Sequence, residues 1–129
     1  MTAIIVPTYA ALIALMFVAL SFRTIFLRVR LNVLIGAGED RKLARAVRVH
    51  SNFAEYVPLA LILIFFLELQ SGSKLWIHIP CISLLMGRVL HAYGVSQVKE
   101  NTRFRLAGMI LTLSCIISTS ARLIIGSFN

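Results

Sequence analysis

The chain has 129 residues, of which 59% are hydrophobic and only 14% are charged, and its mean hydropathy is +0.89. This composition excludes an ordinary soluble domain and points to a membrane protein. The net charge of +8 does not indicate nucleic-acid binding, because the basic residues lie beside or inside apolar runs and form no exposed patch interleaved with aromatic residues.

The sequence predicts one all-α domain over residues 1–129, with four transmembrane helices at about 3–30, 41–69, 75–95 and 104–125. Four spans of about 20 residues each use nearly all of this length. The first run lacks a basic leader and a cleavage pattern, so we expect a permanent helix. Short turns between successive helices favour an up-down bundle of antiparallel neighbours.

Basic residues are distributed unevenly over the predicted connections. The second connection carries only Lys74, and no basic side chain precedes the first helix. The positive-inside rule therefore places the first and third connections in the cytoplasm and both termini outside. The first and third connections are flanked by Arg23, Arg28, Arg30, Arg41, Lys42, Arg45 and Arg48, and by Lys99, Arg103 and Arg105, respectively.

The second predicted helix carries polar residues into the membrane. Its apolar run, Val57–Leu69, has 13 residues, whereas a crossing needs roughly 20. The crossing must therefore reach back to about His50 and include Asn52 and Glu55. One helix face within about 80° holds Arg45, Arg48, Asn52 and Glu55.

Arg88 and His91 form a second, shorter polar stripe on the third helix. Counting from the outer helix ends puts Glu55 level with Arg88, roughly 20 Å deep, and we predict a salt bridge between them. Such a bridge without any ligand is one interpretation of the buried charges. It leaves the surplus of arginines at the cytoplasmic side unexplained, and that surplus suits an anionic ligand.

Two further interpretations have weaker support in the sequence. His50 projects about 120° away from most of the stripe, so we expect it to face a neighbouring subunit or the lipid headgroups. A metal site made by His50, Glu55 and His91 lacks any recognised ligand-pair spacing, and none is predicted. Cys81 and Cys115 lie in apolar runs and are interpreted as buried hydrophobic residues.

The strings RAVRVHSNFAEYVP, GRVLHAYG and RFRLAGMILT, in this order, resemble the MAPEG family (membrane-associated proteins in eicosanoid and glutathione metabolism), in particular its short bacterial branch. The resemblance implies a homotrimer in the bacterial inner membrane. It also implies glutathione bound between subunits near the cytoplasmic face, and a hydrophobic substrate that arrives from the bilayer. The implied glutathione-binding residues are Arg28, Arg48, His50, Asn52, Glu55, Arg88 and His91, with Arg105 as the catalytic residue.

The chemistry of glutathione fits these residue types. Glutathione has two carboxylates, an ammonium group and a thiol, so its pocket needs several cations, one anion and a group that stabilises the thiolate. We expect Glu55 to take the ammonium group, Asn52 to bond an amide, and Arg105 to lower the thiol pKa. Two positions depart from other members: Leu106 replaces a serine of prostaglandin E synthase, and Val95 replaces a tyrosine.

Three functions are compatible with a buried polar cluster in such a protein. The leading prediction is a glutathione-dependent transferase or peroxidase that acts on hydrophobic electrophiles or lipid hydroperoxides. A non-catalytic protein of the same fold that binds a lipid or a thiol is the alternative, and the two departures favour it. A transporter would need a continuous polar path, which the first and fourth helices do not indicate.

Overall fold

The computed structural model describes residues 5–70 and 73–128, and within these ranges the regular structure is entirely helical. The helices are α1 (Ile5–Leu31), α2 (Arg41–Gln70), α3 (Leu75–Ser96) and α4 (Thr102–Gly126). All four are long and apolar enough to cross a membrane, which confirms the predicted four-helix membrane bundle. Ala3, where the first helix was predicted to begin, lies outside the described residues, as do Ser71 and Gly72 of the second turn.

Local side-chain bonds fix where α2 and α4 begin. The Asp40 carboxylate accepts a hydrogen bond from the Leu43 backbone N–H at 2.8 Å, so Asp40 caps α2. The Asn101 side chain likewise accepts one from the Phe104 N–H at 3.4 Å, and α4 therefore starts two residues earlier than predicted. Helix α2 continues through Pro58, so its polar and apolar halves form one helix.

Helices α2 and α3 are the central helices of the bundle, since each contacts the other three. The α1–α2 and α3–α4 connections lie at one end of the up-down bundle, which we call the basic end because the arginine-rich segments meet there. The end that carries the start of α3 and the end of α4 is called the opposite end.

Helices α3 and α4 pack most extensively, and glycines make their approach close. A Cβ at Gly108 would lie 2.5 Å from the backbone nitrogen of His91, and one at Gly94 would lie 2.6 Å from that of Arg105. Backbone atoms cannot yield to such contacts, so only glycine fits. Small residues at helix crossings are typical of membrane proteins, and here they bring His91 and the start of α4 together.

The pattern of exposed and buried side chains is that of a protein surrounded by lipid. Leu15 and Ile117 are each 68% exposed, whereas Arg88 is 1% exposed. Hydrocarbon solvates apolar side chains but not charges. Polar groups are therefore gathered inside the bundle, and the packed apolar core occupies the rest of the interior.

Candidate functional site

A cavity of about 460 Å³ opens at the basic end between α2, α3, α4 and the α3–α4 connection. This volume is within the range of small-molecule sites. Arginines from α2 and α4 surround it, and its apolar wall includes Val95 and Met109. Its polar lining consists of Arg41, Arg45, Arg48, Asn52, Tyr56, His91, Glu100 and Arg105.

The charge of this basic pocket is strongly unbalanced, because its lining includes four arginines and one carboxylate, that of Glu100. Glu100 binds Arg105 at 2.7 Å and Arg45 at 3.3 Å. The hydrogen bond from Arg105, supported by Arg45, lowers the pKa of Glu100 below its ordinary value. Arg41 and Arg48 face the pocket without sharing this carboxylate, so the pocket favours an anion.

Arg88 is buried behind the pocket lining, next to Asn52. It donates to Oδ1 of Asn52 at 2.8 Å and to Oγ1 of Thr112 at 2.6 Å, and its guanidinium lies 5.8 Å from the centre of the Tyr56 ring. Within residues 5–70 and 73–128 no carboxylate oxygen lies within salt-bridge distance of Arg88. A buried cation without a carboxylate partner adds to the positive potential of the pocket.

The Arg88 bond also orients Asn52. A guanidinium only donates hydrogen bonds, so the carboxamide oxygen of Asn52 must face it. The Asn52 NH2 group is then directed toward the pocket that Asn52 lines. This arrangement presents a fixed neutral donor among the cations, suited to a carbonyl or carboxylate oxygen of a ligand.

The predicted salt bridge between Glu55 and Arg88 is wrong. Glu55 instead pairs with Arg48 at 3.9 Å, and the two side chains are 52% and 61% exposed. Glu55 follows Asn52 by three residues, which turns it about 60° around the helix. Asn52 therefore faces the interior and takes the bond to Arg88, while Glu55 lies on the outer surface of α2.

Two other predicted site residues lie away from the pocket. His50 packs on α1 of its own chain, with its ring 4.7 Å from that of Phe17 and Nε2 3.0 Å from Ser21 Oγ. Arg28 donates to the Gly36 carbonyl oxygen at 2.6 Å and so binds the α1–α2 connection. Neither residue lines the basic pocket.

Of the residues proposed from sequence, the structure brings together Arg48, Asn52, His91 and Arg105, with Arg88 behind them. Sequence reasoning did not assign Tyr56, Glu100 or Thr112. Tyr56 follows Asn52 by one helical turn, a spacing that could have indicated it. Glu100, an acidic residue in an otherwise basic turn, gave a weaker signal. No pattern in the sequence indicated Thr112, because its bond to Arg88 depends on how α3 and α4 cross.

The two departures from the family pattern lie in different surroundings. Val95 is 4% exposed and Leu106 is 58% exposed. Val95 lines the pocket, and its carbonyl oxygen accepts a hydrogen bond from Arg45 at 3.1 Å. Leu106 does not line the pocket, so in one subunit position 106 points away from it.

An all-helical membrane bundle with an arginine-lined pocket among three of its helices is the class of protein that this fold and site define. The chain belongs to the MAPEG family, whose sequence profile matches residues 6–125. This match confirms the resemblance stated above.

Two relatives share the name "Inner membrane protein YecN", one from Escherichia coli K12 and one from Escherichia coli O6:H1 strain CFT073. Each is 36% identical over 109 residues, which are 84% of this chain and 82% of the relative. No solved structure matches the chain at a significant level.

Proposed function

We propose that this protein is a membrane-embedded glutathione-dependent transferase or peroxidase whose basic pocket holds glutathione. The observation that carries the proposal is the charge of the pocket: four arginines against one carboxylate, above a buried arginine that has no carboxylate partner among the described residues. Membership of a family named for eicosanoid and glutathione metabolism supports glutathione as the anion.

The groups of glutathione can be matched to the pocket. Arg41 and Arg48 are the cations for its carboxylates, and the Asn52 NH2 group donates to a peptide carbonyl oxygen. Arg48 both lines the pocket and pairs with Glu55, so Glu55 stands at the pocket mouth. We assign the ammonium group of glutathione to Glu55.

Arg105 is the proposed catalytic residue, because a guanidinium beside the thiol favours the thiolate and so lowers the thiol pKa. In transfer, the thiolate sulfur forms a bond to an electrophilic carbon while the leaving group departs with its electron pair. In peroxidase action, the sulfur attacks a hydroperoxide oxygen and releases the alcohol. A second glutathione then reduces the resulting sulfenic acid, and glutathione disulfide and water form.

The proposed assembly is a homotrimer in the inner membrane, with the basic end in the cytoplasm. Charged side chains exposed to hydrocarbon are costly, yet Arg48 and Glu55 are both more than half exposed on a membrane helix. A neighbouring subunit against this face of α2 would shield them. The number of three subunits is taken from the resemblance to the family.

The hydrophobic substrate is proposed to enter along an apolar groove between α1 and α2. The groove has a volume of about 300 Å³ and is lined by Phe17, Phe53 and small residues such as Ala14 and Ala54. Ala54 adjoins Glu55 in sequence, which places one end of the groove close to the pocket mouth. A lipid-soluble electrophile could therefore reach glutathione without leaving the membrane.

Glutathione binding, thiolate absorbance and turnover of the purified protein test this function. Turnover is followed with an aryl halide for transfer and a lipid hydroperoxide for reduction. Arg105→Ala should abolish the thiolate signal, whereas Arg103→Ala should retain it, since Arg103 is a nearby exposed arginine that does not line the pocket. Wild type that does not bind glutathione, and does not differ from Arg105→Ala or Glu55→Ala, would contradict the proposal.

A non-catalytic protein that binds a lipid or a thiol is the second candidate. One observation favours it: Arg105, the proposed thiolate stabiliser, is already held by Glu100 at 2.7 Å. If Glu100 keeps this cation when the ligand is bound, glutathione will bind as the thiol. Binding without thiolate formation or turnover would therefore select this candidate.

A further inference from the structure

A second cavity, of about 360 Å³, lies at the opposite end of the bundle between the start of α3 and the end of α4. Its walls combine apolar side chains, among them Leu67 and Ile79, with a group of polar ones. It shares no lining residue with the basic pocket. The proposed glutathione chemistry therefore leaves this outer cavity unused.

Arg122 supplies the positive charge of the outer cavity. Its guanidinium lies 5.0 Å from the centre of the Trp76 ring, and within the described ranges no carboxylate pairs with it. Stacking occupies the face of a guanidinium and leaves its N–H edges free, in a fork that matches a phosphate.

Thr119 supplies an unsatisfied hydroxyl in the same cavity. It is 1% exposed, and its Oγ1 makes no hydrogen bond of ordinary geometry. The thiol of Cys115 is close to it, but sulfur is a weak partner, and that thiol donates to the Pro80 carbonyl oxygen at 3.3 Å. Buried hydroxyls normally have a partner, so Thr119 indicates a ligand oxygen.

The order of these groups along α4 matches one kind of amphiphile. Arg122, Ser118 and Ser114 all line the cavity at intervals of four residues, so Ser118 lies about 6 Å and Ser114 about 12 Å deeper than Arg122. A glycerophospholipid has its phosphate at the interface, ester carbonyl oxygens about one helical turn deeper, and acyl chains below. The apolar walls of the cavity suit the upper part of an acyl chain.

We propose that the outer cavity binds one anionic glycerophospholipid of the phosphatidylglycerol type, with its phosphate on Arg122 and an ester carbonyl oxygen accepting from Thr119. The charge of this end favours an anionic headgroup over a zwitterionic one. Arg122 is the cation of the cavity, and the Glu68 carboxylate at this end already accepts the N–H groups of Ile5 at 2.6 Å and Val6 at 2.9 Å.

Trp76 is the only tryptophan of the chain, and it provides a local probe. Purified protein in detergent is titrated with phosphatidylglycerol that carries brominated acyl chains, and quenching of Trp76 fluorescence is followed. Phosphatidylcholine with the same chains is the reference lipid. Wild type should reach half-quenching at an about fivefold lower mole fraction of phosphatidylglycerol, the attraction of one basic side chain to an anionic lipid. Both lipids carry the phosphate, but the choline ammonium of phosphatidylcholine offsets its attraction to Arg122.

Three variants decide whether the cavity causes this preference. Arg122→Gln should remove it, and the nearly isosteric Thr119→Val should weaken phosphatidylglycerol binding about fivefold, the effect of one neutral hydrogen bond. Lys74→Gln should keep the preference, because Lys74 carries the same charge at the same end but lies outside the cavity. Circular dichroism confirms that each variant is folded.

The proposal fails if Lys74→Gln and Arg122→Gln reduce the preference equally, because a diffuse surface charge would then explain it. It also fails if wild type shows no preference. A change of oligomer size in Arg122→Gln and Thr119→Val, without any lipid preference in wild type, would show that a second copy of the chain covers the cavity instead.

Discussion

Arg88 is a buried cation that bonds Asn52 and Thr112 where such a cation usually has a carboxylate partner. These bonds hold the inner side of the basic pocket in place. Thr112→Val should remove one charge-assisted bond of 2.6 Å and lower the free energy of unfolding by about 2 kcal/mol. Thr24→Val is the matched control, since Thr24 is buried and its hydroxyl bonds the Leu20 carbonyl oxygen of its own helix. Equal losses of thermal stability in the two variants would contradict the role given to Thr112.

Glu100 is the residue that competes with an anionic ligand for Arg105 and Arg45. Glu100→Gln should tighten glutathione binding by up to about fivefold, the strength of a partly exposed ion pair. Glu39→Gln, which removes an exposed carboxylate from the α1–α2 connection, should leave the affinity unchanged. Weaker binding to Glu100→Gln would show that Glu100 contacts the ligand instead of competing with it.

The lowered pKa of Glu100 also predicts how the stability of the fold changes with pH. Its folded-state pKa is lowered by Arg105 and Arg45 from an ordinary value of 4.5, so its ion pairs stabilise the fold above that value. Their contribution is lost as the pH falls through the lowered pKa. The difference in melting temperature between wild type and Glu100→Gln should therefore be constant near neutral pH and shrink below about pH 4. A difference that grows on acidification would contradict this sign.

The α3–α4 pair is the element that sets the geometry of the pocket. Gly108→Ala would place a Cβ 2.5 Å from the His91 nitrogen and 2.6 Å from the Gly87 carbonyl oxygen, so the helices must separate. We expect a loss of about 1–3 kcal/mol of stability and weaker glutathione binding. Gly126→Ala should cost less, because the three atoms nearest the new Cβ all belong to the side chain of Gln70, which can move. Similar losses in both variants would show that the close crossing is not critical.

The four helices could be predicted from the sequence, whereas the side-chain contacts between them could not. Hydropathy and length specify all four helices, and the short apolar run required a longer second helix, which is observed as α2 with Asn52 buried inside the bundle. Counting residues along a helix gives the depth of a side chain but not the direction in which it points. Glu55 was paired with Arg88 by depth, but Asn52, which is turned about 60° from Glu55 around α2, is the residue that bonds Arg88. Which polar residue faces inward depends on the packing of α2 against α3 and α4, and helical spacing does not fix that rotation.

At the scale of the whole molecule, the exposed ion pair of Arg48 and Glu55 argues for assembly, and the apolar groove between α1 and α2 argues for substrate entry. Ala14 lines this groove, whereas Ala11, also exposed on α1, does not. Ala14→Phe should therefore slow turnover of a hydrophobic electrophile, and Ala11→Phe should not. Equal turnover in the two variants would contradict this entry path. A wild-type protein that is monomeric in mild detergent would contradict the proposed trimer.

The measurement that tests the central claim most directly is the pKa of the glutathione thiol when it is bound. Thiolate absorbance is followed against pH with saturating protein, in wild type and Arg105→Ala. We expect the bound thiol to titrate at least one unit below the ordinary thiol value of about 8.5, and Arg105→Ala to return it to that value. A bound thiol that titrates normally in wild type, or equally low in Arg105→Ala, would contradict activation by Arg105.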